Sequence, residues 1–256
     1  MLMSAPALAA RLAESDGATI KVVVPVHLYG QACDMPAILA LAGRHGLKVV
    51  EDCAQAHGSQ VAGRTAGTWG DLAAFSFYPT KNLGALGDAG AIVSAQVELL
   101  ERCRRLRQYG WRTRYVSDEH GRNSRLDELQ AAILRVRLGR LAAENAHRQT
   151  LAERYLSGLA GSPLRLPETQ IGRTHTWHQF VVRSGQREAL KAHLDRYGIV
   201  AGVLYPVPIH RQPAYRQKTT LPETERACAE VLSLPLHAGL TLDDIDRVIG
   251  AVLAWN

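Results

Sequence analysis

Two side chains of opposite charge follow neighbouring strand-like segments and could share one ligand site. Asp52 ends the apolar segment LKVVED, and Lys81 follows the segment LAAFSFY inside the stretch SFYPTKNLG. Ligands of open α/β sheets bind beyond the carboxyl ends of the strands, which is where both residues stand. The glycines at 84, 87 and 90 permit tight turns just after the lysine. Geometry alone leaves a structural ion pair between the two side chains equally open.

Other polar residues near these segments could also contact a ligand, although each has a plainer explanation. Ser76 could bind a phosphate, but anion sites favour helix N-termini and nests, so it is more simply a strand residue. Gln55 taken alone predicts nothing, and Asn123 taken alone is typical of a turn. We interpret His57 as a packing or loop residue. Tyr29 lies beyond the first strand, where it could line the substrate side of a site.

The sequence predicts no metal site. His175 and His178 stand three residues apart without a Cys or carboxylate cluster beside them. The cysteines match no zinc spacing, and we interpret them as reduced thiols of a cytoplasmic protein. They are Cys33, Cys53, Cys103 and Cys228.

The elements that must position these residues begin with a βαβ unit. The β-branched run at 20–26 predicts a buried strand, Pro36 stands in the first turn of a helix, and LKVVED forms the next strand at 47–52. These two strands should be parallel, because a helix joins them. A third strand is predicted at 72–78, and the short loop after it favours an antiparallel strand at 90–94.

The rest of the chain alternates helices with two further strands. A basic helix is predicted at 96–108, and a long helical pattern over about 126–160 is typical of a helix that bridges two domains. Thr241 begins a last helix, with Asp244 in the capping-box position. The C-terminal part is therefore expected to be a small α+β domain. Its other elements are strands at 177–183 and 199–205 and helices at 186–197 and 222–232.

Composition excludes several classes of protein. The chain has 256 residues, of which 46% are hydrophobic and 21% charged, and this is typical of a soluble globular protein rather than a disordered one. No apolar run is long enough for a membrane span, and no basic residue precedes the small apolar start, as a secretory signal would require. The net charge of +6 is mild and comes without a nucleic-acid recognition motif, so it suits anionic small molecules better.

Six ordered motifs together carry a family resemblance that none would carry alone. The chain resembles the DegT/DnrJ-type sugar aminotransferases, which depend on pyridoxal phosphate (PLP). The resemblance implies an α/β fold of type I, like that of aspartate aminotransferase, followed by the α+β small domain. It also implies that the substrates are keto sugars attached to nucleotides. The motifs are PVHLYG (25–30), EDCAQAHG (51–58), FSFYPTKNLG (75–84), GRNSRLDELQAAIL (121–134), YPVPIH (205–210) and LSLPLH (232–237).

The resemblance assigns roles to the polar residues named above. Lys81 would form the Schiff base with PLP and move the proton between substrate and cofactor. Asp52 would pair with the pyridinium nitrogen and keep the ring an electron sink. Gln55 would hydrogen-bond the 3′ oxygen of PLP, and Ser76 would bind its phosphate. Asn123 would reach the cofactor phosphate of a neighbouring subunit, which implies a homodimer with shared active sites.

The reaction and the substrate follow from the same resemblance. Related dehydratases carry His at the position of Lys81, so the lysine favours transamination, with glutamate as the expected amino donor. The segment 102–125 is rich in arginine, as solvated faces usually are. Because part of it leads to Asn123, we expect Arg112 or Arg114 to meet the substrate's diphosphate, whose oxygens suit guanidinium groups.

The resemblance also predicts that the chain begins inside the large domain. Only about 20 residues precede the first matching strand, and Met1 to Asp16 is expected to form a short helix that ends at Gly17. Family members carry an earlier segment that binds the PLP phosphate and stacks on the ring. We therefore expect a partial PLP-binding domain at 1–140 and a small domain at 141–256. The alternative to an active enzyme is a truncated, inactive remnant or interaction subunit that needs a separate N-terminal half.

Overall fold

The structure is a computed structural model that describes residues 1–14, 20–215 and 217–255. The chain divides into two compact units. The N-terminal unit comprises Leu2–Glu144 and Gln170–Thr176, and the C-terminal unit comprises Asn145–Thr169 and Trp177–Asn256 together with Met1. The predicted end of the first helix at Gly17 lies outside the described residues. No helix in the described part of the chain is long and apolar enough to cross a membrane.

Both units contain α-helices and β-strands. The helices are α1 (Ala5–Glu14), α2 (Met35–Arg44), α3 (Val97–Leu106), α4 (Glu128–Leu138), α5 (Leu141–Gly158), α6 (Arg187–Arg196), α7 (Pro222–Glu230) and α8 (Leu242–Leu253). The strands are β1 (Val22–Val23), β2 (Lys48–Asp52), β3 (Gln60–Val61), β4 (Arg64–Thr65), β5 (Leu72–Ser76), β6 (Gly90–Val93), β7 (Trp111–Thr113), β8 (Val116–Ser117), β9 (Phe180–Arg183) and β10 (Val231–Leu234).

A four-stranded sheet in the order β1-β2-β5-β6 forms the centre of the N-terminal unit. The strands β1, β2 and β5 are parallel, and Asp52 stands opposite Ala74. Strand β6 runs antiparallel to β5, with Gly90 opposite Ser76. The predicted βαβ unit and the antiparallel fourth strand are thus confirmed, and Asp52 and Ser76 end adjacent strands.

Local sequence signals fix the crossover helix α2. The carboxylate of Asp34 accepts a hydrogen bond from the amide of Ala37 at 3.2 Å, and Pro36 stands in the first turn. Gly46 follows the helix with a φ of 62°, a left-handed conformation that glycine adopts readily. The apolar face of α2 packs with α1 and with one face of the sheet in a single core. Its buried members are Leu12, Val23, Cys33, Met35, Ile38, Leu41, Ala42, Leu47 and Val49.

The C-terminal unit has its own core around the antiparallel pair β9 and β10. The rings of Tyr155 and Phe180 lie 4.6 Å apart between centroids, and both side chains are fully buried. Helix α8 begins with the predicted capping box, since Thr241 and Asp244 bond reciprocally to each other's backbone amides. This α+β unit thus has the general composition expected from the sequence.

The single helix predicted over about 126–160 is instead two helices. Helix α4 ends at Leu138, with Gly139 as its C-cap, and α5 begins at Leu141. The amide of Arg140 bonds to the carbonyl of Arg137 in a tight turn. Glycine is a poor helix former, so the apolar periodicity continues across this position although the helix does not.

The predicted strand at 199–205 is also absent from the structure. Only an isolated bridge joins Gly202 to Ser233, and Val200 is 82% exposed. Tyr205 has a φ of 58° and precedes Pro206, so extended pairing cannot continue there. The partner of β9 is β10, whose first two residues, Val231 and Leu232, were expected to belong to the helix at 222–232. That helix ends at Glu230.

Candidate active site

Lys81 and Asp52 stand at the carboxyl ends of the adjacent strands β5 and β2, close enough to interact electrostatically. Asp52 is the last residue of β2, and Lys81 lies in the turn after β5, where its amide bonds to the carbonyl of Tyr78 at 2.9 Å. The turn requires Gly84, because a Cβ there would lie 2.5 Å from the carbonyl oxygen of Pro79. Burial lowers the pKa of the Lys81 amine, and the negative charge of Asp52 opposes part of that shift.

Ser76 and Lys81 line the same cleft, whose volume is about 1060 Å³. The hydroxyl of Ser76 accepts a hydrogen bond of 3.3 Å from the amide of Tyr78. Three arginines also line this cleft, so cationic groups outnumber the single carboxylate of Asp88 among the lining side chains. A cleft of this composition suits an anionic ligand such as a phosphate. The arginines are Arg104, Arg107 and Arg125.

His57 supports the strand that carries Ser76. Its ring is 3% exposed and lies 5.7 Å from the ring of Phe75 and 5.8 Å from that of Phe77, between centroids. Burial and, to a lesser extent, the charge of Lys81 lower the pKa of His57 to about 4, against a hydrogen bond to the backbone of Ser76 that raises it. The imidazole is therefore neutral at physiological pH, which agrees with a packing role.

Gln55 and Tyr29 are brought together by a hydrogen bond. The buried side-chain oxygen of Gln55 accepts from the amide of Tyr29 at 2.7 Å. Tyr29 has a φ of 60°, which is strained for a residue with a side chain, and it is 7% exposed. Gln55 thus holds the backbone of a strained turn beside the strand ends. Strain of this kind concentrates at functional sites.

Arg112 and Arg114 line a second cleft of about 550 Å³ at the hairpin β7–β8, and Asn123 is not among the residues that line it. Arg112 pairs with Asp118 at 3.1 Å, and the guanidinium of Arg114 lies 4.9 Å from the ring centroid of Tyr115. Asn123 is exposed, and its side-chain oxygen accepts from Arg125 at 3.0 Å. Arg125 lines both clefts. Arg112 and Arg114 are not among the residues that line the cleft of Lys81.

The structure reveals a buried carboxylate that the sequence reasoning missed. Glu51 precedes Asp52 and is fully buried, and it accepts a hydrogen bond from His27 at 2.9 Å. Strand periodicity places Glu51 on the same buried face as Val49, which was the available signal. Ligand atoms of His27, Glu51 and Cys53 lie within 4.8 Å of one another. The oxygens of Glu51 already accept several protein hydrogen bonds, so this set is a structural network.

The fold is that of the PLP-dependent sugar aminotransferases. A crystal structure of DesV from Streptomyces venezuelae, in complex with a ketimine intermediate, matches with a TM-score of 0.93 and 46% identity. The match covers 99% of this chain and 69% of DesV. The chain belongs to the DegT/DnrJ/EryC1/StrS aminotransferase family, whose profile matches residues 4–253. The family resemblance seen in the sequence is thereby confirmed.

Two further relatives, one a named transaminase and one a structure with a bound cofactor, indicate the general kind of protein. The dTDP-3-amino-3,4,6-trideoxy-alpha-D-glucose transaminase of Streptomyces venezuelae is 49% identical over 240 residues, which cover 92% of this chain. The chain spans 63% of the length of that relative. The structure of NtdA from Bacillus subtilis, which contains the cofactor PMP, matches with a TM-score of 0.82 and 34% identity over 91% of this chain and 56% of NtdA.

Proposed function

We propose that this chain carries the catalytic lysine of a PLP-dependent aminotransferase that moves an amino group from glutamate to a nucleotide-linked keto sugar. The observation that carries the proposal is the placement of Lys81 and Asp52 at adjacent parallel strand ends, in a chain of this family. When bound, PLP supplies an aldehyde for an imine bond and a ring that takes up electrons.

The residues at the strand ends fit this cofactor. Burial lowers the pKa of the Lys81 amine, so more of it is neutral and nucleophilic at physiological pH. The carboxylate of Asp52 is close enough to act on that amine electrostatically, and it is the group suited to hold a proton on a pyridine nitrogen. Ser76, with its hydroxyl in the cation-lined cleft, is suited to a phosphate. Gln55 is proposed for the 3′ oxygen of PLP.

The proposed substrate is anionic at its nucleotide diphosphate. Arg112 and Arg114 are exposed on the hairpin β7–β8 and would bind phosphate oxygens. Tyr29, in its strained turn, would line the sugar side of the site. A relative named as a transaminase for a dTDP-linked sugar supports this class of substrate. We propose a homodimer in which Asn123 reaches the cofactor phosphate of the neighbouring subunit.

The proposed location is the cytoplasm. The cysteines of the described residues are free thiols, and Cys33 and Cys53 are buried. Free thiols are typical of a reducing compartment.

A second candidate function is favoured by one specific observation. One face of the sheet carries Val22, Val24 and Val26 with 47%, 47% and 41% of their surfaces exposed, and Asp52 projects from that same face. An exposed apolar surface of this kind normally packs against another polypeptide segment. In this alternative, the chain binds PLP only when a further polypeptide segment covers the face, and alone it is inactive.

The experiment that separates the two candidates uses purified protein with added PLP. The enzyme proposal predicts a visible absorption band from bound cofactor, which Lys81→Ala removes and the surface control Lys191→Ala keeps. It also predicts conversion of keto sugar nucleotides to amino sugars with glutamate as donor. A colourless wild-type protein that stays inactive would contradict catalysis by this chain alone and would support the second candidate.

A further inference from the structure

Glu51 is the meeting point of three chain segments at the end of β2. One oxygen of its carboxylate accepts hydrogen bonds from the amides of Trp69 at 2.7 Å and Gly70 at 2.8 Å. The other oxygen accepts from the amide of Gly67 at 2.8 Å and from the ring of His27 at 2.9 Å. Four donors therefore converge on a side chain that is fully buried.

His27 connects this carboxylate to the backbone of Asp52. Its Nδ1 accepts from the amide of Cys33 at 3.0 Å, so the ring proton sits on Nε2, which donates to Glu51. The amide of His27 donates to the carbonyl of Asp52 at 3.0 Å. His27 thus binds the segment that carries Tyr29 to the end of β2 in two ways, through its ring to Glu51 and through its backbone amide to Asp52.

Glu51 is an anion in this network. Burial alone would raise its pKa, but the hydrogen bonds from His27 and from the amides of Gly67 and Gly70 hold that pKa below its ordinary value. The loop at 67–70, which supplies these two amides and that of Trp69, requires glycine at its start. Gly67 has a φ of 90°, and a Cβ there would lie 2.5 Å from the ring of Phe75.

We infer that Glu51 is a positioning residue for Asp52 and for the turn of Tyr29. Its carboxylate binds two segments to the end of β2. One is the loop at 67–70, which leads into β5, and the other is the segment at 27–33. Asp52 leaves that strand end on the opposite face, so its direction depends on the backbone that Glu51 and His27 hold. The inference rests on the proposed function only in the meaning given to Asp52, namely contact with the cofactor nitrogen.

The pKa of Lys81 depends on the position of Asp52, and it can be measured in protein without bound cofactor. The charge of Asp52 raises the pKa of Lys81, so a displaced Asp52 lets that pKa fall. The decisive variant is His27→Gln, which replaces the imidazole that donates to Glu51 with an uncharged amide. Glu51→Gln is the stronger variant, since an amide group turns one hydrogen-bond acceptor into a donor that faces backbone N–H groups.

The matched control is Asp71→Asn at the other end of β2. Asp71 accepts from the amide of Val49 at 2.9 Å and from Lys48 at 3.1 Å, so it is also a carboxylate that braces β2. The variants are compared in two measurements. One is the dissociation constant of PLP, and the other is the pKa of Lys81 in PLP-free protein, from the pH dependence of its chemical labelling.

We expect Glu51→Gln to weaken PLP binding about tenfold, which corresponds to about 1.4 kcal/mol. His27→Gln should act in the same direction, and the pKa of Lys81 should fall in both variants but stay unchanged in Asp71→Asn. An unchanged Lys81 pKa in His27→Gln, or equal effects of the Asp71 control, would overturn the inference. A wild-type protein that does not bind PLP would overturn the proposed function instead, and the labelling measurement would still decide the role of Glu51.

Discussion

Asp52 and Lys81 form an electrostatic pair in which a carboxylate raises the pKa of a lysine that burial lowers. The pair joins two adjacent parallel strands, because Asp52 ends β2 and Lys81 follows β5. Burial favours the neutral amine that attacks an aldehyde, and the nearby carboxylate offers a partner for a protonated ring nitrogen. The two side chains therefore supply complementary parts of one proposed site.

Asp52→Asn should separate the electrostatic role of this carboxylate from its size. The amide keeps the shape but removes the charge, so the pKa of Lys81 should fall and amino transfer should slow by about a hundredfold or more. The pH dependence of Lys81 labelling and the turnover rate measure the two effects. The control Asp88→Asn removes the carboxylate that lines the cleft of Lys81. A Lys81 pKa that Asp52→Asn leaves unchanged would show that the pair is not coupled.

Arg112→Ala and Arg114→Ala test the proposed diphosphate contact. Loss of the contacting guanidinium should raise the KM for the nucleotide sugar by about tenfold, since charged hydrogen bonds contribute about 1.5–3 kcal/mol. The KM for glutamate should stay the same, because the amino donor carries no diphosphate. Steady-state kinetics with each substrate varied in turn provides the measurement, and Arg226→Ala in α7 is the control. If neither hairpin variant changes the KM for the sugar, the contact is absent.

Mixing two inactive variants tests the shared site. Lys81→Ala lacks the catalytic lysine, and Asn123→Ala should bind the cofactor of the neighbouring subunit weakly. In a mixed dimer one site carries both changes and the other carries neither, so activity should return when the two variants are mixed after partial dissociation. Each variant kept alone is the control. Mixtures that remain as inactive as the separate variants would contradict a site built from two subunits.

Because Glu51 is ionised, the free energy of unfolding should depend on pH in the acid range. The folded pKa of Glu51 is lowered, so its contribution is complete above the unfolded pKa of about 4.3 and is lost as the pH falls through the folded value. Urea unfolding of the wild type should therefore show a steeper fall in the free energy of unfolding across this acid range than Glu51→Gln. Glu153→Gln on the surface of α5 is the control. Equal acid slopes for the wild type and Glu51→Gln would exclude the lowered pKa.

Local patterns predicted the strand ends well because chain direction and periodicity determine them. Asp52, Ser76 and Lys81 were placed from the alternation of buried strands and a crossover helix. The Glu51 network was missed because it depends on a loop in which Gly67 takes a left-handed conformation. The hydrogen bonds between that loop and Glu51 join residues that are distant in sequence, and single-sequence patterns carry little information about such contacts.

The errors in the C-terminal half have the same origin. The residues 199–205 and 231–234 are both apolar enough for strands, and pairing with β9 selects β10. That choice is made by contacts between distant parts of the chain. The split at Gly139 was hidden because the apolar pattern of α4 continues into α5. The hairpin β7–β8 falls in a segment for which no strand was predicted, since its alternation is too short to stand out from its arginines.

The most direct test of the central claim is to trap the bond between Lys81 and PLP. Purified protein is incubated with PLP and reduced with borohydride, and the labelled peptides are identified by mass spectrometry. The account predicts that the pyridoxyl group is found on the peptide that contains Lys81 and disappears in Lys81→Ala. A label that is missing, or that is spread evenly over Lys21, Lys48, Lys191 and Lys218, would contradict it.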